Sequence, residues 1–187
     1  MARSVNTGKV ESVIYAQLEP GEDLYVAIRE LCKEHDIRAG LVLNIVGGLT
    51  RARLNLPVAK TGMEVPPGMK EWQAGVIECS GVGIIGQMHG TFDLEKTTGV
   101  LYRDGDPYIH VHMTIATPDE TAMGHLVEGC IVRSVHPASH FTIALAKIGG
   151  IEFNCRVSDE TSEHYPTGFL MHEVKPADAD GFACEHP

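Results

Sequence analysis

The chain has no C-x-x-C pair, no long apolar run and no cluster of basic residues, and each absence narrows what the protein can be. Its five cysteines (Cys32, Cys79, Cys130, Cys155, Cys184) are odd in number and scattered. The most apolar stretch, residues 39–49, is interrupted by Asn44 and is too short to cross a bilayer. The opening residues M-A-R-S-V-N-T-G lack the apolar core of a signal peptide. Together these lead to the expectation of a reduced, cytoplasmic protein without membrane association. Lys and Arg total 15 against 25 Asp and Glu, a formal net charge of -10. Affinity for duplex DNA comes largely from cation–phosphate contacts, so direct DNA binding by this chain is disfavoured. H-E-x-x-H, a P-loop and G-x-S-x-G are also missing, which removes support for the hydrolases they mark.

What is present is the composition of one folded domain. At 187 residues the chain is long enough for a genuine core, and 20 glycines with 10 prolines point to short strands and many turns. Residues 10–18 alternate loosely as a first strand, ended by Pro20-Gly21. Leu24, Ala27, Ile28, Leu31 and Cys32 then follow at helical spacing, with Glu22 and Asp23 at the start and an end near His35-Asp36. Residues 40–55 read as β-structure with a Gly47-Gly48 interruption, in which Arg51 and Arg53 share one face opposite Ala52 and Leu54. That pair is a solvated face or an anion contact. A literal G-x-G-x-x-G at Gly81, Gly83 and Gly86 lacks the helix that a dinucleotide site needs directly after it, and is rejected as one. R-D-G-D-P at 103–107 is a turn.

The stretch from Pro107 to Val132 carries the chemistry. His110 and His112 alternate on one strand face with Cβ atoms roughly 6.5 Å apart. His125 returns after a short, turn-rich connection, and residues 124–128 read as one turn of helix. Two strand histidines alone are ordinarily solvated, but a third beside them favours one shared cation. Glu128, three residues after His125, is a general base, an orienting partner for His125, or an exposed carboxylate. Glu78 and His89 are weaker candidates. His164, His172 and His186 lie far along the chain and are set aside.

The segments L-E-P-G-E-D-L, H-D-I-R-A-G-L-V-L-N-I-V-G-G-L-T-R-A-R-L and H-V-H-M-T-I-A…G-H-L-V-E-G-C-I-V, in this order, resemble the plant-and-prokaryote conserved (PPC, or PCC) domain family over residues 10–150. In plants that domain follows an AT hook; in bacteria and archaea it commonly stands alone. The resemblance implies an α/β fold of the α+β type: a curved, largely antiparallel sheet with packed helices, assembled as a homotrimer. It implies a divalent metal, zinc, on His110, His112 and His125. An AT hook needs an Arg-Gly-Arg core, which the chain does not contain. The expected organisation is a PPC-like domain over 1–150 and a partly flexible extension over 151–187. Three functions fit: a metal-dependent enzyme on a small carboxylated molecule, with Arg51 and Arg53 as substrate contacts; a DNA-associated or regulatory module with a structural metal; and a ligand sensor.

Overall fold

The computed structural model describes residues 5–57, 67–94, 100–133, 140–161 and 168–177. The tail beyond Val174, expected as flexible, is strand as far as Pro176; its residues 178–187 and the connection around His136 lie outside the described residues. The strands are β1 (Lys9–Gln17), β2 (Gly40–Pro57), β3 (Pro67–His89), β4 (Phe92–Leu94), β5 (Val100–Tyr102), β6 (Pro107–Ala116), β7 (Thr121–Leu126), β8 (Ile131–Val132), β9 (Thr142–Gly149), β10 (Ile151–Val157) and β11 (Leu170–Pro176). One helix, α1 (Leu24–Glu34), is present among the described residues, so the fold is mostly β rather than a sheet with several helices. That helix is not long or apolar enough to cross a membrane.

The main sheet runs β1-β9-β2-β7-β6-β3-β10-β11, and β2 also pairs with β3. That extra pairing closes β2, β3, β6 and β7 into a small barrel. The barrel has a packed interior. From β6, Ile109, Val111, Met113 and Ile115 point inward beside Leu54, Ile77, Ile85 and Leu126. Each such aliphatic side chain contributes about 1.5–3 kcal/mol of gross burial energy. The alternate residues of β6, His110, His112 and Thr114, therefore face outward, and the strand's period of two fixes where the histidines go.

Gly83 shows how tightly β3 and β6 meet. A Cβ there would lie 2.3 Å from the His110 carbonyl oxygen and 2.7 Å from Val111 Cα. The glycine pattern that imitates a nucleotide fingerprint is instead an allowance for close strand packing, and β3 continues straight through it.

Helix α1 matches its sequence pattern: Leu24, Ala27, Ile28 and Cys32 are buried. Asp23 caps it, Oδ1 accepting from the amides of Tyr25 at 2.9 Å and Val26 at 3.2 Å. Its other oxygen accepts from Gly129 N at 2.6 Å, which ties the helix start to the turn after β7. Residues 124–126, expected as helix, are strand. β7 is hydrogen-bonded to β6 on one side and to β2 on the other, and two ladders outweigh a weak local helical pattern.

After the Gly149-Gly150 turn, β10 runs parallel to the end of β3, with Cys155 opposite Met88, and β11 pairs antiparallel with β10. β10 and β11 thus extend the same sheet toward the outward face of β6.

Candidate metal centre

β6 and β7 place the three histidines in register. His112 is the direct cross-strand partner of His125, and His110 lies two residues earlier on the same face. Their outer nitrogens converge: His125 Nε2 is 3.2 Å from His110 Nε2 and 3.1 Å from His112 Nε2. All three ligand atoms lie within 4.8 Å of one another. Neutral imidazoles cannot all satisfy each other in such a cluster, because each contact needs one nitrogen to carry a proton toward a lone pair. A cation accepts all three lone pairs. Tetrahedral zinc at 2.0–2.1 Å from its nitrogens sets them about 3.3 Å apart, close to the two separations that His125 makes. The donor set fits a divalent metal.

Electrostatics keep these rings available. His110 falls from the ordinary histidine value to about 4, chiefly because burial penalises the imidazolium, then because His125, His172 and His112 add like charge. His125 is also lowered, by burial first and His112 second. His110 Nδ1 is buried without a hydrogen-bond partner. Its ring is held by packing, with the Tyr108 ring 6.1 Å and the His172 ring 5.4 Å away between centroids, rather than by the acceptor that commonly fixes a ligating imidazole.

The other anticipated residues are placed differently from one another. Arg51 and Arg53 share a half-buried face opposite buried Ala52 and Leu54. Arg51 is tied to Glu71, Nη2 to Oε2 at 2.7 Å. Arg53 has no ion pair among the described residues and lies two residues along β2 from Asn55, the partner of His125. Glu128 sits in the turn beyond β7 and acts on the Tyr25 phenol. Glu78 is four residues along β3 from Val82, the partner of His112, about 13 Å away at strand rise. His89 bonds Asn154 at 2.8 Å at the far end of the strand. Cys130 is buried, its thiol donating to the Arg53 carbonyl at 3.2 Å, and burial pushes it up to about 12. It is a structural thiol.

Two residues beside the centre were not anticipated. Tyr108 precedes His110 by two on the same face, so alternation alone would find it. His172, from β11, stands with Nε2 2.9 Å from the Tyr108 hydroxyl. Some 60 residues of intervening chain hide that neighbour from any local pattern.

A closed β-barrel flank bearing three convergent imidazoles on its outer face defines the class: a β-rich domain with a solvent-facing three-histidine centre. The family model for the Plants and Prokaryotes Conserved (PCC) domain matches residues 5–138, and the chain belongs to that family. Among solved structures it is similar to a metal-containing protein from Archaeoglobus fulgidus, at 18% identity over 90% of this chain and 99% of that one, with a TM-score of 0.62. A plant- and prokaryote-conserved protein from Pyrococcus horikoshii is equally similar, at 18% identity, 92% and 99% coverage and a TM-score of 0.62. A protein from Bacteroides thetaiotaomicron, provisionally described as DNA binding, gives 15% identity, 91% and 98% coverage and a TM-score of 0.59. A comparison with curated proteins finds no significant match. At these identities the solved structures establish the fold.

Proposed function

We propose that this protein is a cytoplasmic, homotrimeric metal-binding PCC-domain protein that holds one divalent cation, zinc, on His110, His112 and His125 and acts on a small carboxylated molecule. The observation that carries the reading is the convergence of three imidazoles, with His125 Nε2 3.2 Å from His110 Nε2 and 3.1 Å from His112 Nε2, and no carboxylate among the described residues in the cluster. A cation there supplies Lewis acidity to an oxygen ligand in its remaining position. Arg53 and Asn55, beside His125 on β2, bind the ligand's anionic part, and Arg51 holds Glu71 in place near them. Glu128 is the carboxylate nearest in sequence to the three imidazoles and serves as the general base of the reading. The metal-containing Archaeoglobus protein of the same fold supports a metal in this chain. Buried, free thiols at Cys32, Cys79, Cys130 and Cys155 suit a reducing compartment. The trimer is supported by the apolar outer face: Tyr15, Val46, Val82 and Met123 each have half or more of their surface open, an arrangement that calls for a covering subunit.

Metal analysis of untagged protein tests this. One zinc per chain in wild type, lost in His125→Ala, with Glu128→Gln retaining metal, supports it; wild type that stays metal-free after zinc is supplied contradicts it. Light scattering at the monomer mass contradicts the assembly. A second reading, a DNA-associated or regulatory module with a structural metal, rests on the description of the Bacteroides protein. The net charge of -10 weighs against direct contact with DNA.

A further inference from the structure

The wall beside the three histidines comes from the far end of the chain, outside the segment matched by the family model. β11 brings His172 to within 5.4 Å of both the His110 and the Tyr108 ring centroids, and Phe153 of β10 packs edge-on against it at 5.2 Å. Gly86 makes the room. A Cβ at that position would lie 2.6 Å from the Phe153 ring and from its carbonyl oxygen, so any side chain would push β10, and with it His172, away from the centre.

Hydrogen bonding sets what His172 offers. The Tyr108 hydroxyl lies 2.9 Å from His172 Nε2. A phenol is a good donor and an imidazole nitrogen a good acceptor, so the phenol proton goes to Nε2. That fixes the His172 tautomer: Nδ1 carries the hydrogen, and no described residue accepts it. His172 is itself solvent-exposed. The ring therefore stands beside the cluster with a donor to spare. The centre, by contrast, has no carboxylate among its converging ligands in the described residues. The charged groups acting on His110 are other histidines, and the group of converging ligands holds imidazoles only. Loaded with a divalent cation it carries two uncompensated positive charges, which favour an anionic ligand over a neutral one of the same shape.

We propose that His172, oriented by Tyr108, is a specificity-determining residue that hydrogen-bonds a small carboxylate placed against the three imidazoles, with Phe153 and Tyr108 forming an apolar wall for the carboxylate's short substituent. This rests on the metal reading above. It adds a residue from outside the family segment and a direction for the ligand.

The test uses cobalt(II) in place of zinc, read by visible absorption, with acetate and propionate as probes and acetamide as the neutral control. Wild type is expected to bind cobalt and to change spectrum with acetate and propionate but not with acetamide. His172→Ala and Tyr108→Phe keep cobalt affinity within about threefold and weaken carboxylate binding at least tenfold, the loss of one charge-assisted hydrogen bond. His172→Gln, which keeps an N–H donor, restores part of it. Carboxylate affinity unchanged in His172→Ala overturns the inference and leaves the metal reading standing. Cobalt affinity falling in His172→Ala as far as in His125→Ala also overturns it, since the residue is then a ligand. Wild type that binds no cobalt removes the metal reading, and this inference with it.

Discussion

Acidification of the metal-free protein isolates the histidine cluster from everything else in the fold. His110 sits near 4 in the folded chain against an ordinary 6.5, so between those values the unfolded chain binds a proton that the native chain refuses. Stability therefore rises with pH across that window and is lost as pH falls from 6.5 toward 4. A shift of this size corresponds to about 3 kcal/mol when complete. His110 is half-buried and shares its environment with two other rings, so about 2 kcal/mol is the figure to look for by pH 4.5. His125 and His172 are lowered as well and act in the same direction. The carboxylates Asp36, Glu71, Glu120 and Glu152 are held below their ordinary values by their hydrogen-bonding partners, so their contribution is lost only as pH falls through the ordinary carboxylate range, which leaves pH 6.5 to 5 to the histidines. Urea unfolding in chelator at pH 7.5, 6.5, 5.5 and 4.5, on wild type and His110→Gln, measures the effect. Wild type should lose midpoint steadily below 6.5 at constant m, and the variant should lose markedly less. Equal pH slopes in the two proteins, or a wild type that gains stability on acidification to 5, refute the reasoning.

Three further outcomes follow from the packing and charge. Asp23→Ala removes the helix cap and the bond to Gly129 N and should cost about 1–2 kcal/mol in urea unfolding. Gly83→Ala drives a methyl group into the His110 carbonyl; the backbone of β6 must move, so stability should fall by about 2 kcal/mol or more and zinc affinity should fall with it. Fluorescence anisotropy with duplex DNA at about 150 mM salt should give no binding tighter than about 1 μM, and salt-sensitive binding well below that contradicts the charge argument.

Local pattern reaches some of this molecule and misses the rest for identifiable reasons. Helix α1 was legible because its apolar spacing and its Asp23 cap agree. His110 and His112 were legible because alternation on β6 is strict, with Val111 between them and Met113 after them fully buried. His125 was read as belonging with them, but on a turn of helix. Its strand is specified by the hairpin pairing with His112 and by Asn55, far away in sequence on β2. The closure of β2 onto both β3 and β7 leaves no local trace either, because it depends on pairings between distant segments. His172 is the clearest case. Four successive residues of β11, Met171 to Val174, are exposed, so no apolar alternation marks which face meets the site. Only the β10 and β11 pairings carry that ring to Tyr108.

The central claim is that one divalent cation rests on three particular nitrogens. Crystals of untagged protein soaked in zinc, with anomalous differences collected on either side of the zinc edge, test it directly. The account predicts a single strong peak per chain, about 2.0–2.1 Å from Nε2 of His110, His112 and His125. A peak bound elsewhere, or none at these nitrogens in zinc-saturated crystals, contradicts it.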